Sequence, residues 1–564
     1  MFKEELVELL AKKTGIGKDE VDKLIEIPPD SGLGDYAFPC FSLAKVQKKA
    51  PNAIAAELAK ELKPGKSFSD IKATGPYLNF FVDKNRLADG TLKEIVKCTA
   101  CYGSGAVKGE KIMIEYPAPN TNKPLHLGHV RNMLLGNSVC SLLGFAGYTA
   151  IPVNYVNDRG VHICKSMLAY QKWGENKEPD KKSDQFVGDF YVLFNQKAKD
   201  QPELEEETQE LLRRWEAGDK DIIALWKKMN RWALDGHNET YKKFDVHHKK
   251  TYLESEIYTR GRDIILDGLK KGLFAKDEEG AIIADLENDG LGKKVLIRKD
   301  GTAIYITTDI YLAKLKFDDF KMDRSVYVVG SEQDHHFKVL FKIIEKLGFP
   351  YASKCYHLSY GMVNLPEGRM KSREGTVVDA DDLYNEMRAM AADEVMKRHP
   401  EIDEKELEDR SRMIALGALK FFILKHDPQK DMIYNPKESI SFEGETGPYV
   451  QYAHARICSI MRQAADFRAE NVKGHYEHPK EKRLISLLAG FPAIATEAAE
   501  QYRPSSIARY SLDLAQTFNE FYQECPVLKA DQKTKESRLL LIFCTRIVLR
   551  NALDLLGIQA PEEM

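Results

Sequence analysis

Glu115-Tyr116-Pro117-Ala118-Pro119-Asn120-Thr121-Asn122-Lys123-Pro124-Leu125-His126-Leu127-Gly128-His129-Val130-Arg131-Asn132 is the stretch whose reading decides the fold. Just before it, Lys111 to Tyr116 alternates and reads as a strand. Just after it, Val130 to Leu143 reads as a helix that ends at Gly144 and Gly147. Between the two runs a loop holding Pro117, Pro119 and Pro124, which can join neither element. A second strand follows at Tyr148 to Asn157, so strand, loop and helix form the first half of a nucleotide-binding βαβ unit.

The loop suits an anion. A helix N-terminus presents unpaired N–H groups and a partial positive charge. Gly128 lets backbone approach a ligand, and His126 and His129, three residues apart, can point the same way. Imidazole N–H groups there can stabilise charge growing on a phosphate. Taken alone, His-x-x-His reads more readily as two surface histidines.

The whole string resembles the HIGH signature of class I aminoacyl-tRNA synthetases. Its longer form, Pro-Asn-(x)3-Pro-x-His-x-Gly-His-x-Arg with a Glu five residues before the Asn, resembles the arginyl-tRNA synthetase family. The resemblance extends over nearly the whole chain. It implies a multidomain protein: an α/β, Rossmann-like catalytic core on a parallel sheet, an α+β N-terminal domain and an all-α C-terminal domain.

At 564 residues a single core is not expected. Hydrophobic and charged fractions of 43% and 30% describe an ordinary globular chain. The net charge of −3 does not announce a nucleic-acid binder, though a local basic groove can sit on a neutral protein. The start, Met1 to Glu5, reads as a charged amphipathic helix rather than a signal peptide. The longest apolar run, Leu539 to Leu549, is broken by Arg546, so no membrane contact and a cytoplasmic location are expected. Nine cysteines are scattered, and Cys98-x-x-Cys101 has neither a second pair nor a nearby histidine. No tightly bound, protein-ligated metal is expected.

In chain order, residues 1–108 form the N-terminal unit, with helices at Phe2–Lys13 and Ile54–Leu62 and a strand at Pro76–Val82. Gly32 to Pro39 resembles part of the family's N-terminal domain, which touches the outer corner of the tRNA; a packed turn explains it equally well. Residues 109–380 are the catalytic domain, closing its first half with Asn157-Asp158-Arg159-Gly160 at a strand end. A mainly helical insertion spans about 161–290 and holds all four Trp residues (173, 215, 226, 232), read as core. Lys294 to Lys299 and Ala303 to Thr308 are expected as strands flanking an Asp300-Gly301 turn. A buried strand, Ser325 to Gly330, leads into Ser331 to His336 and a helix from Phe337. Residues 381–440 are expected as a helical connecting stem. Residues 441–564 are a helical domain that resembles the family's anticodon-binding domain, starting with Glu445 to Arg456.

The candidate residues follow. A loop with three cations between glycines, Gly368 to Gly375, suits a polyphosphate and resembles the family's KMSKS loop, read as Arg369-Met370-Lys371-Ser372-Arg373. Arg369 stands for the first Lys, and Lys123 holds the position of the family's compensating cation. The resemblance assigns catalysis to His126, His129, Lys123, Lys371 and Arg373, and ATP binding to His126, Gly128, His129, Met370, Lys371 and Ser372. A guanidinium needs carboxylates placed for its planar fork. Glu115, Asn120, Tyr305, Asp309 and Gln333 match the family positions around the substrate arginine, although Asp309 alone could be a helix cap. Thr308 stands where many members have Arg. Single-stranded bases stack on aromatic and Arg planes, which nominates Tyr449, Tyr452, Arg456, Tyr502 and Arg503 for tRNA, with packing as the equal alternative for each Tyr.

The family's activity would then be ATP-dependent activation of L-arginine, with magnesium on the nucleotide, release of pyrophosphate and transfer to the 3′-terminal adenosine of tRNA(Arg), with tRNA required for the first step. A monomer is expected. Competing readings are a synthetase for cysteine or glutamate, a tRNA-binding paralogue without catalysis, and a small nucleotidyltransferase. The acidic pocket and the missing zinc set argue against cysteine, and the acidic pocket repels glutamate. The retained histidines argue against the paralogue. The flanking domains argue against the nucleotidyltransferase.

Overall fold

The computed structural model describes residues 2–28, 30–65, 67–365, 368–369, 378–435, 438, 440–441 and 443–564. The chain divides into two compact units, one of residues 1–102, 456–491 and 513–549, the other of residues 103–455, 492–512 and 550–564. No helix among the described residues is long and apolar enough to cross a membrane.

In the first unit, the helices Phe2–Thr14 and Pro51–Glu61 bury Leu6, Leu10, Ile54, Ala55 and Leu58 against an antiparallel sheet. Its strands are Tyr36–Pro39, Tyr77–Val82 and Phe68–Thr74, in that spatial order. The expected α+β character is present. The Gly32 to Pro39 segment packs as a turn running into the first of these strands.

The second unit is built on a five-stranded parallel sheet. Its elements are β1 (Lys111–Glu115), α1 (Leu127–Phe145), β2 (Thr149–Val156), β3 (Lys250–Leu253), α2 (Tyr305–Phe320), β4 (Arg324–Gly330), α3 (Asp334–Lys346) and β5 (Cys355–Tyr360). The spatial order is β5-β4-β1-β2-β3. Strands buried on both faces read as continuous apolar runs, and Ile112, Met113 and Ile114 of β1 and Val326 and Val328 of β4 are all fully buried. The order reverses between β1 and β4. In open α/β sheets, that reversal opens a crevice at the carboxyl ends of the strands. The proline-rich loop after β1 and the Ser331–Gln333 turn after β4 both lie at that crevice.

One expectation needs correction. The segment Ala303 to Thr308 is not a strand: only Ala303 bridges back to Ile297, and Tyr305 begins α2. The Asp300-Gly301 turn does form, with Gly301 at φ +81°. The β-branched run Ile304, Ile306, Thr307, Thr308 favoured a strand locally, but burial of Ile306, Thr307, Thr308 and Ile310 within a helix prevails. The inserted region, about 161–290, is mainly helical: Val161–Trp173, Ser183–Lys197, Glu203–Glu216 and Lys220–Lys243 come first, and the shorter helices Glu254–Ile257 and Arg262–Lys270 lie beyond Lys250. Lys250–Leu253 then returns to the central sheet as β3, and Ala275–Lys276, Ile282–Leu286 and Gly292–Ile297 form a separate antiparallel sheet. The four Trp residues pack against the helical core of this insertion, as expected. Trp226 also donates its indole N–H to the Asp158 carbonyl at 2.6 Å.

Candidate active site

His126 is the N-cap of α1, and its side chain sets the loop. Its Nδ1 accepts the backbone N–H of Gly128 at 3.1 Å. His129, three residues on, returns the favour through Nδ1, which accepts the backbone N–H of His126 at 3.2 Å. This is a capping box built from two imidazoles. A nitrogen that accepts cannot carry the proton, so both rings are assigned the Nε2–H tautomer. Each therefore keeps one N–H donor for a ligand. The rings lie 4.0 Å apart. Burial, reinforced by the Lys123 charge, pulls His126 down to about 3. Burial followed by the charge of His126 pulls His129 well below the ordinary imidazole value. Both rings are thus neutral donors at physiological pH. Gly128 fits closely here, since a Cβ there would stand 3.0 Å from the His126 ring.

The elements around the loop hold it from several sides. Arg131, next on α1, is almost fully buried. Its guanidinium donates to the carbonyls of Met362 (3.1 Å), Pro428 (3.1 Å) and Lys430 (2.7 Å). Asn132 donates to the Val328 carbonyl of β4 at 2.9 Å. Leu125 and Leu127 exchange backbone hydrogen bonds with Ala380 and Val378. From the insertion, His237 Nε2–H donates to the Lys123 carbonyl at 2.9 Å. Burial lowers the Lys123 ammonium from its ordinary value. A cavity of about 320 Å³ lies beside Lys123 and His126, with Lys181, Gln185, Tyr191 and Asp379 in its wall. Lys371, Arg373, Met370 and Ser372 lie outside the described residues, and of Arg369 only the backbone is described, paired with Asn364.

The residues expected around arginine come from the end of β1 and the loop after it, the turn after β4 and the start of α2. Glu115, at the end of β1, is buried and its carboxylate is ion-paired with Lys316 of α2, itself fully buried. Asp309 lies in the second turn of α2, not at a cap, and its carboxylate takes a hydrogen bond from His336 Nε2 at 2.8 Å. Tyr305 opens the same helix with its ring 75% exposed. Asn120 bridges the backbone of Asn157, and Gln333 stands exposed in the turn before α3. The Tyr155 hydroxyl registers the company: burial raises it most, then Asp309, Glu254, Glu115 and Asp158 in turn. Glu254 is pushed up to about 7 by burial against the opposing pull of Arg159. Asp158 accepts from the backbone N–H and the hydroxyl of Ser255, at 2.8 and 2.6 Å. The pocket is therefore rich in carboxyl groups, a setting suited to a cation.

Sequence reasoning missed Lys316, His336, Tyr155, Glu254 and His237. Lys316 follows Asp309 by seven residues, two helical turns on the same face. Reading the preceding residues as strand hid that spacing.

For the nucleic-acid candidates, Tyr449 and Tyr452 are half-buried in the helix Gly447–Gln463. Arg456 donates to Asn519 at 2.9 Å and lies 5.9 Å from the Tyr522 ring centre. Tyr502 is 7% exposed, with its ring 5.2 Å from that of Tyr356. Arg503 is ion-paired with Asp427 at 3.5 Å. Burial of Tyr502 leaves little ring face for a base.

Comparison with known proteins agrees across the chain. Residues 91–436 match the family described as tRNA synthetases class I (R), catalytic domain. Residues 450–564 match the DALR anticodon binding domain, and residues 1–82 the arginyl tRNA synthetase N terminal domain. The arginine–tRNA ligase of Treponema denticola is 46% identical, covering 98% of this chain and 97% of its own. That of Parabacteroides distasonis is 42% identical over 94% of each. The solved arginyl-tRNA synthetase of Thermus thermophilus superposes with a TM-score of 0.84 at 28% identity, covering 100% of this chain and 99% of its own. With the catalytic-domain match spanning more than half its length, the chain belongs to the arginyl-tRNA synthetases, within class I of the aminoacyl-tRNA synthetases.

Proposed function

We propose that this chain carries out its family's reaction with the following division of labour among its residues. As an ATP-dependent ligase it joins L-arginine to tRNA in two steps. In the first, the arginine carboxylate attacks the α-phosphate of ATP, forming arginyl adenylate and releasing pyrophosphate. His126 and His129 donate Nε2–H to the phosphate oxygens as charge builds there, and the start of α1 at Gly128 adds its backbone dipole. Lys123, Lys371 and Arg373 neutralise the departing pyrophosphate, while Met370 and Ser372 flank it. Magnesium arrives on the nucleotide's phosphate oxygens, the hard ligands it prefers. Among the described residues no group of three or more His, Cys, Asp or Glu could hold a metal ion, and none is assigned to it. In the second step the 3′-terminal adenosine hydroxyl of tRNA(Arg) attacks the adenylate carbonyl.

Asp309 and Glu115 receive the guanidinium, with Tyr305, Asn120 and Gln333 around the rest of the amino acid. Lysine cannot reproduce the planar fork, and citrulline leaves a carboxylate unpaired. Tyr449, Tyr452 and Arg456 are assigned to tRNA, with Arg503 secondary and Tyr502 chiefly a packing residue. The observation that carries the assignment is the pair of neutral imidazoles, each with its donor left over, at the reversal point of the sheet. The test is charging of purified tRNA(Arg) with labelled arginine, lysine or citrulline. Acid-stable attachment of arginine alone is expected. Charging with lysine would overturn the pocket assignment, and no charging would overturn the catalytic one.

A further inference from the structure

Among the buried charges, one at the amino acid pocket, Lys316, has no place in the mechanism above. Lys316 has no exposed surface, and its ammonium meets the carboxylate of Glu115. The same ammonium sits 4.7 Å from the ring centre of Tyr327 on β4. A buried lysine is stable only when its charge is matched, and the same holds for a buried carboxylate. Each of these two groups supplies the match for the other.

We propose that Lys316 is a positioning residue for arginine selection, acting through Glu115. The inference rests on the assignment of Glu115 and Asp309 to the guanidinium. Glu115 reaches the pocket from the end of β1, whereas Asp309 and Lys316 come from α2, two turns apart. One oxygen of Glu115 is held by Lys316, which fixes the carboxylate's rotamer. The other oxygen is the one assigned to the substrate guanidinium. Asp309 is fixed in the same manner by His336. Both carboxylates are thus oriented before arginine arrives, so binding spends little on ordering them.

The charge count supports this arrangement. Four carboxyl groups, Glu115, Asp158, Glu254 and Asp309, act on the Tyr155 hydroxyl. Lys316 answers Glu115, and Arg159 lies 3.8 Å from Glu254. Two cations stand against four carboxyl groups, and the buried Glu115 is one of the two that are paired. Lys316 also places an ammonium against Glu115, so a substrate lysine finds that point charge already satisfied.

The experiment is a double-mutant cycle of Lys316→Met and Glu115→Gln, with KM for arginine and for ATP measured separately in the full chain with tRNA. Lys316→Met is expected to raise the arginine KM by at least about tenfold and to leave the ATP KM within about twofold. Lys316→Arg, which keeps the charge, is expected to restore most of the loss. The double variant is expected to be no worse for arginine than Glu115→Gln alone, because Lys316 acts only through Glu115. Should Lys316→Met not fold, the double variant, which holds no unpaired buried charge, carries the comparison. If Glu115→Gln raises the arginine KM and adding Lys316→Met multiplies it further, Lys316 does not act through Glu115. If Lys316→Met folds with an unchanged arginine KM, the inference falls. If Glu115→Gln itself leaves the arginine KM unchanged, the pocket assignment beneath it fails instead.

Discussion

The Nδ1 of His129 accepts the backbone N–H of His126, so a histidine one turn into α1 closes the cap that the first histidine begins. The Nε2–H groups are the two donors this arrangement leaves. His126→Asn keeps a good cap residue but removes the imidazole donor. Its first-step rate should fall by a few hundredfold, about 3 to 4 kcal/mol, with little change in arginine KM. His129→Gln should behave alike. Because burial holds His126 near 3 and pulls His129 well below the ordinary imidazole value, neither ring gains a proton in the working range. The ratio of wild-type to His126→Asn rate should stay constant from about pH 5.5 to 8. A ratio that changes across an apparent value near about 6.5 would mean a titrating imidazole.

Asp309 and His336 form the second relationship with a direct consequence. Asp309→Asn keeps the shape and removes the charge opposite the guanidinium. The arginine KM should rise by about a hundredfold or more, near 3 kcal/mol, while the ATP KM holds. His336→Ala should cost less, about tenfold, because the carboxylate remains and only its orientation loosens. Initial-rate kinetics with arginine and ATP varied in turn separate the two effects.

Arg131 ties α1 to Met362, Pro428 and Lys430 through three carbonyls. Lysine in its place reaches at most part of that set and leaves buried carbonyls unmatched. Urea denaturation of Arg131→Lys should show a loss of about 2 to 3 kcal/mol. Because Met362 opens the segment that continues in sequence toward Lys371, the ATP KM should rise as well. A variant of unchanged stability would mean that the three carbonyls find other partners.

Glu254 gives a pH-dependent stability. Its carboxyl is raised by burial from 4.5 to about 7, so between those values the folded chain holds a proton that the unfolded chain has released. Stability from this group is therefore present at low pH and is lost as pH climbs toward 7. Glu254→Gln lacks that loss. Relative to the parent it should gain stability from about pH 4.5 to 7, on the order of 3 kcal/mol at most. Thermal denaturation of both proteins across that range reads the difference. A constant gap would show that Glu254 titrates normally.

The catalytic loop was legible because its residues impose local rules. Prolines exclude both neighbouring elements, Gly128 lets backbone approach a ligand, and two histidines sit at helical spacing. The continuous apolar runs of β1 and β4 were equally plain. What stayed hidden depends on contacts far apart in sequence. Lys316 meets Glu115 across 201 residues, and nothing local to either marks the pair. The Ala303 to Thr308 segment shows the opposite failure, where β-branched residues pointed to strand and packing of α2 against the sheet decided otherwise. Tyr502 looked like a base platform, and only the fold shows its ring against Tyr356.

The most direct test of the account is arginine-dependent exchange of pyrophosphate into ATP by wild type, His126→Asn and Asp309→Asn, with and without tRNA(Arg). The account predicts exchange by wild type with arginine and not with lysine or citrulline, a slowed maximal rate in His126→Asn, and a raised arginine KM in Asp309→Asn. The family's behaviour further predicts that exchange appears only when tRNA is added. Full exchange by both variants at wild-type arginine concentrations would contradict the assignment of this site.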